Sequence, residues 1–153
     1  MSETDPAPRD GAAMTEPRET QLHHVVFAVA PERQAAMAQM FAELGFSFEN
    51  TELTDLGLTI YLDWNGGVEL ISAIPGATAK VAVSVSDFVK RNGDGVYTVV
   101  LRVPGASDAE AVAERYGSKI RFRQSISGEG SYLDEIDLSV LGLPLTLLST
   151  NIS

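Results

Sequence analysis

The sequence predicts an α+β fold built from two βαβββ modules that follow one another and share one domain. Two observations lead there. The order strand, helix, strand, strand, strand can be read twice from the apolar patterning, and short words recur between the copies. HHVVFAV at 23–29 lies over YTVVLRV at 97–103, and GVELISA at 67–73 lies over GLPLTLLST at 142–150. A supersecondary unit repeated once buries its apolar face only beside its twin, which predicts a single pseudo-twofold domain. In this alignment His24 falls on Thr98 and Glu69 on Thr146.

Residues 1–20, MSETDPAPRDGAAMTEPRET, are polar and proline-bearing and show neither a helical nor a strand period, so a disordered leader is expected. The domain then occupies 21–153, with module one at 21–78, a connector at 79–93 and module two at 94–153. HHVVFAV is β-rich and apolar enough for a buried strand. PERQAAMAQMFAELG reads as a helix: Pro31 suits its first position, Glu32 its positive end, and Met37, Met40, Phe41 and Leu44 recur at helical spacing before Gly45. FSFENTEL, GLTIYLDW and GVELISA are strands, the last two joined through an Asn65-Gly66 hairpin signal. The connector holds a short helix capped by Ser86 and anchored by Val85, Phe88 and Val89.

The second module opens with YTVVLRV. SDAEAVAERYG reads as a helix with a capping box from Ser107 to Glu110, an apolar side through Val112 and Tyr116, and a stop at Gly117. KIRFRQSI, SYLDEIDLSV and LPLTLLST close it as strands. If Leu141-Gly142 is a two-residue turn, Val140 pairs with Leu143 and Asp137 with Thr146, which puts Asp137 and Glu135 on the same face as Thr146. A slip of one residue turns both acids outward.

With 21 acids against 11 bases and a net charge of −10, no basic stripe is available for phosphates, which argues against a nucleic-acid partner. No apolar run reaches the ~20 residues of a membrane helix. The first residues lack the pattern of a secretion signal, and zero cysteines remove disulfides, thiolate nucleophiles and cysteine metal sites, so a cytoplasmic protein is expected. The glycines at 93, 95 and 142 suit turns, since no phosphate-loop spacing occurs.

The strings LHHVVFAV, GVELIS and GDGVYTVVLRV, in this order and spacing, resemble the vicinal oxygen chelate superfamily, which includes glyoxalase I, methylmalonyl-CoA epimerase, extradiol dioxygenases and bleomycin-binding resistance proteins. Gly-Asp-Gly-Val at 93–96 is similar to a phrase of 4-hydroxyphenylpyruvate dioxygenase and to the Gly-x-Gly-x-His-His of the epimerases. The resemblance implies a mixed sheet curled into a cup, with the helices outside. It also implies that metal ligands come from the first and last strand of each module, usually His and Glu. Those positions are His24, Glu69, Thr98 and Thr146 here, so half the set is missing. The expected cofactor is none, or a weakly bound divalent metal ion held by His24 and Glu69.

Two functions follow. In the first, His24, Glu69 and Asp137 are catalytic and handle a proton next to a carbonyl. The substrate is a small oxoacid, aromatic or acyl metabolite touching Thr98, Arg102, Thr146, Glu135 and Tyr61. Arg121 and Arg123, on one face of the sixth strand, are further candidates to receive a carboxylate, and Tyr61, Trp64 and Tyr97 to line an aromatic pocket. In the second, the cup sequesters an aromatic compound without turnover. His24 also reads as a hydrogen-bonded core histidine and Glu69 as a rim residue, while His23 should point to the other face. A homodimer is expected, as the superfamily often pairs units across a subunit boundary.

Overall fold

The structure, a computed structural model, describes residues 19–153. All but the last two residues of the expected leader therefore lie outside the described residues. In chain order the elements are β1 (Gln21–Ala28), α1 (Pro31–Leu44), β2 (Glu49–Leu53), β3 (Leu58–Asp63), β4 (Val68–Ala73), α2 (Lys80–Asn92), β5 (Gly95–Arg102), α3 (Ala106–Glu114), β6 (Lys119–Gly128), β7 (Ser131–Val140) and β8 (Leu143–Thr150). The strands form one curled mixed sheet of eight in the order β2-β3-β4-β1-β5-β8-β7-β6.

The expected repeat is written in the register. β1 runs parallel to β4 with Val25 opposite Val68 and Val26 opposite Glu69. β5 runs parallel to β8 with Val99 opposite Leu145 and Val100 opposite Thr146. The two strand pairs therefore superpose with His24 on Thr98 and Glu69 on Thr146. Antiparallel pairing of β1 with β5 joins the modules at the centre. Asp94 fastens the same seam, accepting from the Ala30 N–H at 2.9 Å and from Arg33 Nε at 2.6 Å.

Alternation along the strands separates two faces. On the outer face α1 sets Ala38, Met37 and Phe41 against Val68 and Leu70, and α3 sets Ala106, Ala109 and Ala113 against Ile136, Leu138 and Leu147. The apolar stripes expected of these helices are thus displaced. Met40 and Leu44 are exposed on α1, as are Val112 on α3 and Tyr116 just after it, because α1 meets the sheet through Ala38, Met37 and Phe41 and α3 through alanines. Gln34 takes the place of an apolar contact by donating from Nε2 to the carbonyls of Thr59 and Leu70. The caps differ as well. α3 starts after Gly105 with no side-chain cap, so Ser107 lies within its first turn, and α2 starts after Ala79, which leaves Ser86 in mid-helix.

One helix is not outside. Ala82 and Val85 of α2 pack with Val26, Ala28, Ile71, Val100 and Leu148, which belong to the concave face, with Phe88 and Val89 against them. The connector therefore fills one end of the cup. Burying that apolar side against the sheet is worth roughly 1.5–3 kcal/mol for each fully buried aliphatic side chain. Ser84 Oγ and Tyr97 OH, 2.6 Å apart, give the helix a polar anchor to β5.

The turn between β7 and β8 has Leu141 at φ 53° and Gly142 at φ 83°. Two consecutive left-handed residues make the primed hairpin turn that matches strand twist. It fixes the pairs Val140 with Leu143 and Asp137 with Thr146.

Candidate functional site

The end of the cup that α2 leaves open is a cleft of about 110 Å³. Its apolar wall comes from Leu53, Leu56, Leu58, Ile60, Val81 and Phe122, and its polar wall from Glu69, Thr98, Gln124, Glu135, Asp137 and Thr146. Each polar residue arrives there through strand alternation: Val26 and Glu69 are partners across β1 and β4, Glu135 and Asp137 are two apart on β7, and Thr146 lies opposite Asp137.

On the first-module side, His24 is 2% exposed and its Nε2 lies 2.9 Å from Glu69 Oε1. The strand supplies no other polar partner to this carboxylate, so the imidazole is what makes a carboxylate in an apolar strand tolerable. Behind His24 stands His23, whose Nδ1 is 2.7 Å from His24 Nδ1. This corrects the expectation that His23 points to the opposite face. The β1–β5 pairing is irregular between Leu22 and His24, and a bulge of this kind re-aims the side chain it carries. Burial, then the neighbouring His24 and Arg102, holds the His23 pKa down at about 4. Trp64 packs edge-on against His23 and donates from Nε1 to the Ser153 carbonyl, so it closes this corner rather than lining the cleft.

On the second-module side, the hydroxyls of Thr98 and Thr146 are hydrogen-bonded at 3.0 Å, and Thr146 donates onward to Asp137 Oδ1 at 3.4 Å. Asp137 is held by Arg121, whose Nη2 donates to Oδ1 at 2.7 Å and whose guanidinium lies over the Tyr97 ring at 4.8 Å. Burial raises the Asp137 pKa, against the lowering effect of Arg121. Glu135 has no hydrogen-bond partner among the described residues. Burial, with the charge of Glu69 next in size, pushes its carboxyl up to about 7.

Three expected substrate contacts lie elsewhere. Tyr61 is opposite Leu70, not Glu69, so it faces outward and packs on Phe48 under α1. Arg102 donates from Nη2 to the Thr150 carbonyl. Arg123 binds Glu110 of α3 on the outer side. Arg121 and Arg123 do not share a face, because the β6–β7 pairing shifts register between Ile120 and Phe122. What the sequence reading missed is the Arg121–Asp137 pair and the entry of Val81 into the cleft wall, since neither a bulge nor a helix inside the cup leaves a signature in the residue pattern.

The residues do not fit a tightly held transition metal. The four relevant positions offer one imidazole, one carboxylate and two hydroxyls that bond to each other, and Asp137 is engaged by Arg121. Among the described residues no three His, Asp or Glu side chains are gathered in a way that could hold an ion, whereas catalytic metal sites use about three protein ligands.

The sequence matches no protein-family model and no curated protein. Solved structures show the fold. A hypothetical protein from Bacillus halodurans C-125 superposes with a TM-score of 0.65 at 13% identity, over 89% of this chain and 98% of that one. Methylmalonyl-CoA epimerase from Mycobacterium tuberculosis gives 0.59 at 19% identity, over 84% and 86%. A 4-hydroxymandelate synthase mutant from Streptomyces coelicolor gives 0.60 at 15% identity, over 87% of this chain and 48% of that one. This chain shares the fold of these proteins.

Proposed function

We propose that this protein binds a small carbonyl compound, aromatic or acyl, in the open end of the cup and moves a proton at the carbon beside the carbonyl without a tightly bound metal. The observation that carries the reading is the buried His24–Glu69 pair at 2.9 Å, with Glu69 reaching the cleft wall and His24 behind it. Glu69 is then the base, and His24, steadied by His23, positions its carboxylate. Thr98, Thr146 and Asp137 form the opposite wall against which the substrate rests. The arginines near the cup already hold Asp137 and a backbone carbonyl, which argues against an oxoacid among the substrate classes first considered.

Deuterium uptake from heavy water at that carbon, followed by NMR over a panel of small aromatic and acyl carbonyl compounds, tests it. Glu69→Gln should slow exchange by roughly 10²–10⁴-fold and leave ligand affinity within a few-fold. Equal exchange rates in variant and native protein would remove Glu69 from the chemistry. The reading includes a homodimer, supported by the exposed apolar Val112, Tyr116, Leu141 and Leu143. Light scattering that reports a monomer at all concentrations overturns that part.

A second reading, a sequestering module, is favoured by Thr98 and Thr146 hydroxyls already engaged within the protein and by an apolar wall that needs no chemistry. A ligand that binds tightly and shows no exchange would select it.

A further inference from the structure

We infer that the ligand of the cup carries a cationic nitrogen on a small apolar body, and that Glu135 receives this nitrogen. The inference rests on the cup being the ligand site, and it is independent of any proton transfer there.

The other two acids in the cleft each have a side-chain partner. Glu69 lies against the His24 imidazole at 2.9 Å, and Asp137 is paired with Arg121 at 2.7 Å. Among the described residues Glu135 has neither an ion pair nor a hydrogen bond, although it lies in the cleft beside both of these pairs. A carboxylate withdrawn from water is costly unless something pairs with it, and the cost shows as a carboxyl pushed up to about 7. Ionised and without a partner, Glu135 is the acid in the cup that gains most when a positive charge enters.

The rest of the cleft agrees. Gln124 is opposite Glu135 on β6, and its side-chain amide in the cleft wall offers both an acceptor and donors. No guanidinium or ammonium in the cleft is free to receive an anion, since Arg121 is committed to Asp137 and stacked on Tyr97. Leu53, Leu56, Leu58 and Ile60 give the ligand body an aliphatic surface. At about 110 Å³ the cleft is smaller than the roughly 300–1,000 Å³ of pockets for drug-sized ligands, which selects a compact amine. The net charge of −10 draws cations toward the molecule and repels carboxylates.

Titration calorimetry and amide NMR at pH 8 with isostere sets test this: benzylamine, benzyl alcohol and benzoate, then isobutylamine, isobutanol and isobutyrate. In each set the amine should bind at least about tenfold more tightly than either isostere. Amide shifts should fall on β3, β4, β6 and β7. Glu135→Gln should abolish the preference and bring amine and alcohol affinities together. This variant removes a buried charge and keeps the side-chain shape, so it folds, and its melting curve confirms that before binding is read. Equal or tighter binding of the carboxylates, amine preference retained in Glu135→Gln, or no amine binding at tens of millimolar each overturns the inference. Proton exchange lost in Glu69→Gln with the amine preference intact leaves it standing, and the reverse result refutes it without touching the proposed chemistry.

Discussion

The two modules place the same strand pairs around the cup and fill the equivalent positions with different chemistry. In module one the superposed pair is His24 and Glu69, an imidazole and a carboxylate 2.9 Å apart. In module two it is Thr98 and Thr146, hydroxyls 3.0 Å apart. Each pair also reaches one further partner, His23 behind His24 and Asp137 beside Thr146, so neither leaves a buried polar group orphaned. They differ in what they can exchange with a ligand. The first pair joins an imidazole to a carboxylate, which can share a proton with a ligand, while the second can only donate and accept hydrogen bonds. Acidity returns on the second side from β7, where Glu135 and Asp137 stand one strand away from the position that Thr146 occupies. A duplicated framework thus holds one imidazole–carboxylate half and one hydroxyl half, with the carboxylates of a neighbouring strand beside the latter.

The largest effect should come from making the halves alike. Thr98→His with Thr146→Glu restores imidazole and carboxylate at both pairs, and elemental analysis after chelation and reloading should then find about one zinc per chain where the native protein retains much less. A variant with the right fold and no added zinc would break the idea that these four positions are geometrically equivalent.

Next in size is the pH response of Glu135. Its carboxyl, raised from 4.5 to about 7, binds more protons in the folded than in the unfolded state across that interval. Stability therefore falls as pH rises from about 4.5 to about 7 and stays lowered above it. Glu135→Gln should match the native protein at low pH and exceed it by about 1–3 kcal/mol at pH 8 in urea melts. His23, held down at about 4, carries the opposite slope, since there the unfolded chain binds more protons and stability rises between about 4 and about 6.5. A flat difference between Glu135→Gln and native across this range would mean that the carboxyl is well solvated.

The hydroxyl half is tied onward to Asp137, which accepts from Thr146 Oγ1 at 3.4 Å. Thr98→Val removes one hydrogen bond and should cost about 1 kcal/mol, and combining it with Thr146→Val should cost less than the two single changes summed. Fully additive losses would show that the two hydroxyls are uncoupled. Smallest is the turn that sets this register. Leu141 is 75% exposed and sits at φ 53°, so Leu141→Asn should raise stability by about 0.5–1 kcal/mol, read from the melting temperature.

Much of this fold is legible in the residue pattern because it is written in short periods. The two βαβββ orders, the superposition of His24 on Thr98 and the Leu141-Gly142 register all follow from alternation and turn chemistry, which act over a few residues and are independent of what packs around them. The presence of acids beside Thr146 follows from the same register. Tertiary structure alone decided the rest. Ser107 and Ser86 can cap a helix by type, yet neither does so, because the helix ends are fixed by how α3 and α2 meet the sheet. The face of Tyr61 was lost by one position in a strand whose two sides are both partly apolar. The irregular pairings at His23 and Arg121 turned one side chain toward His24 and the other toward Asp137, and a bulge is a settlement between two strands that neither strand encodes by itself. The seating of α2 inside the cup is of the same kind. An amphipathic helix specifies that one side must be buried, while the curl of the sheet determines where there is room to bury it.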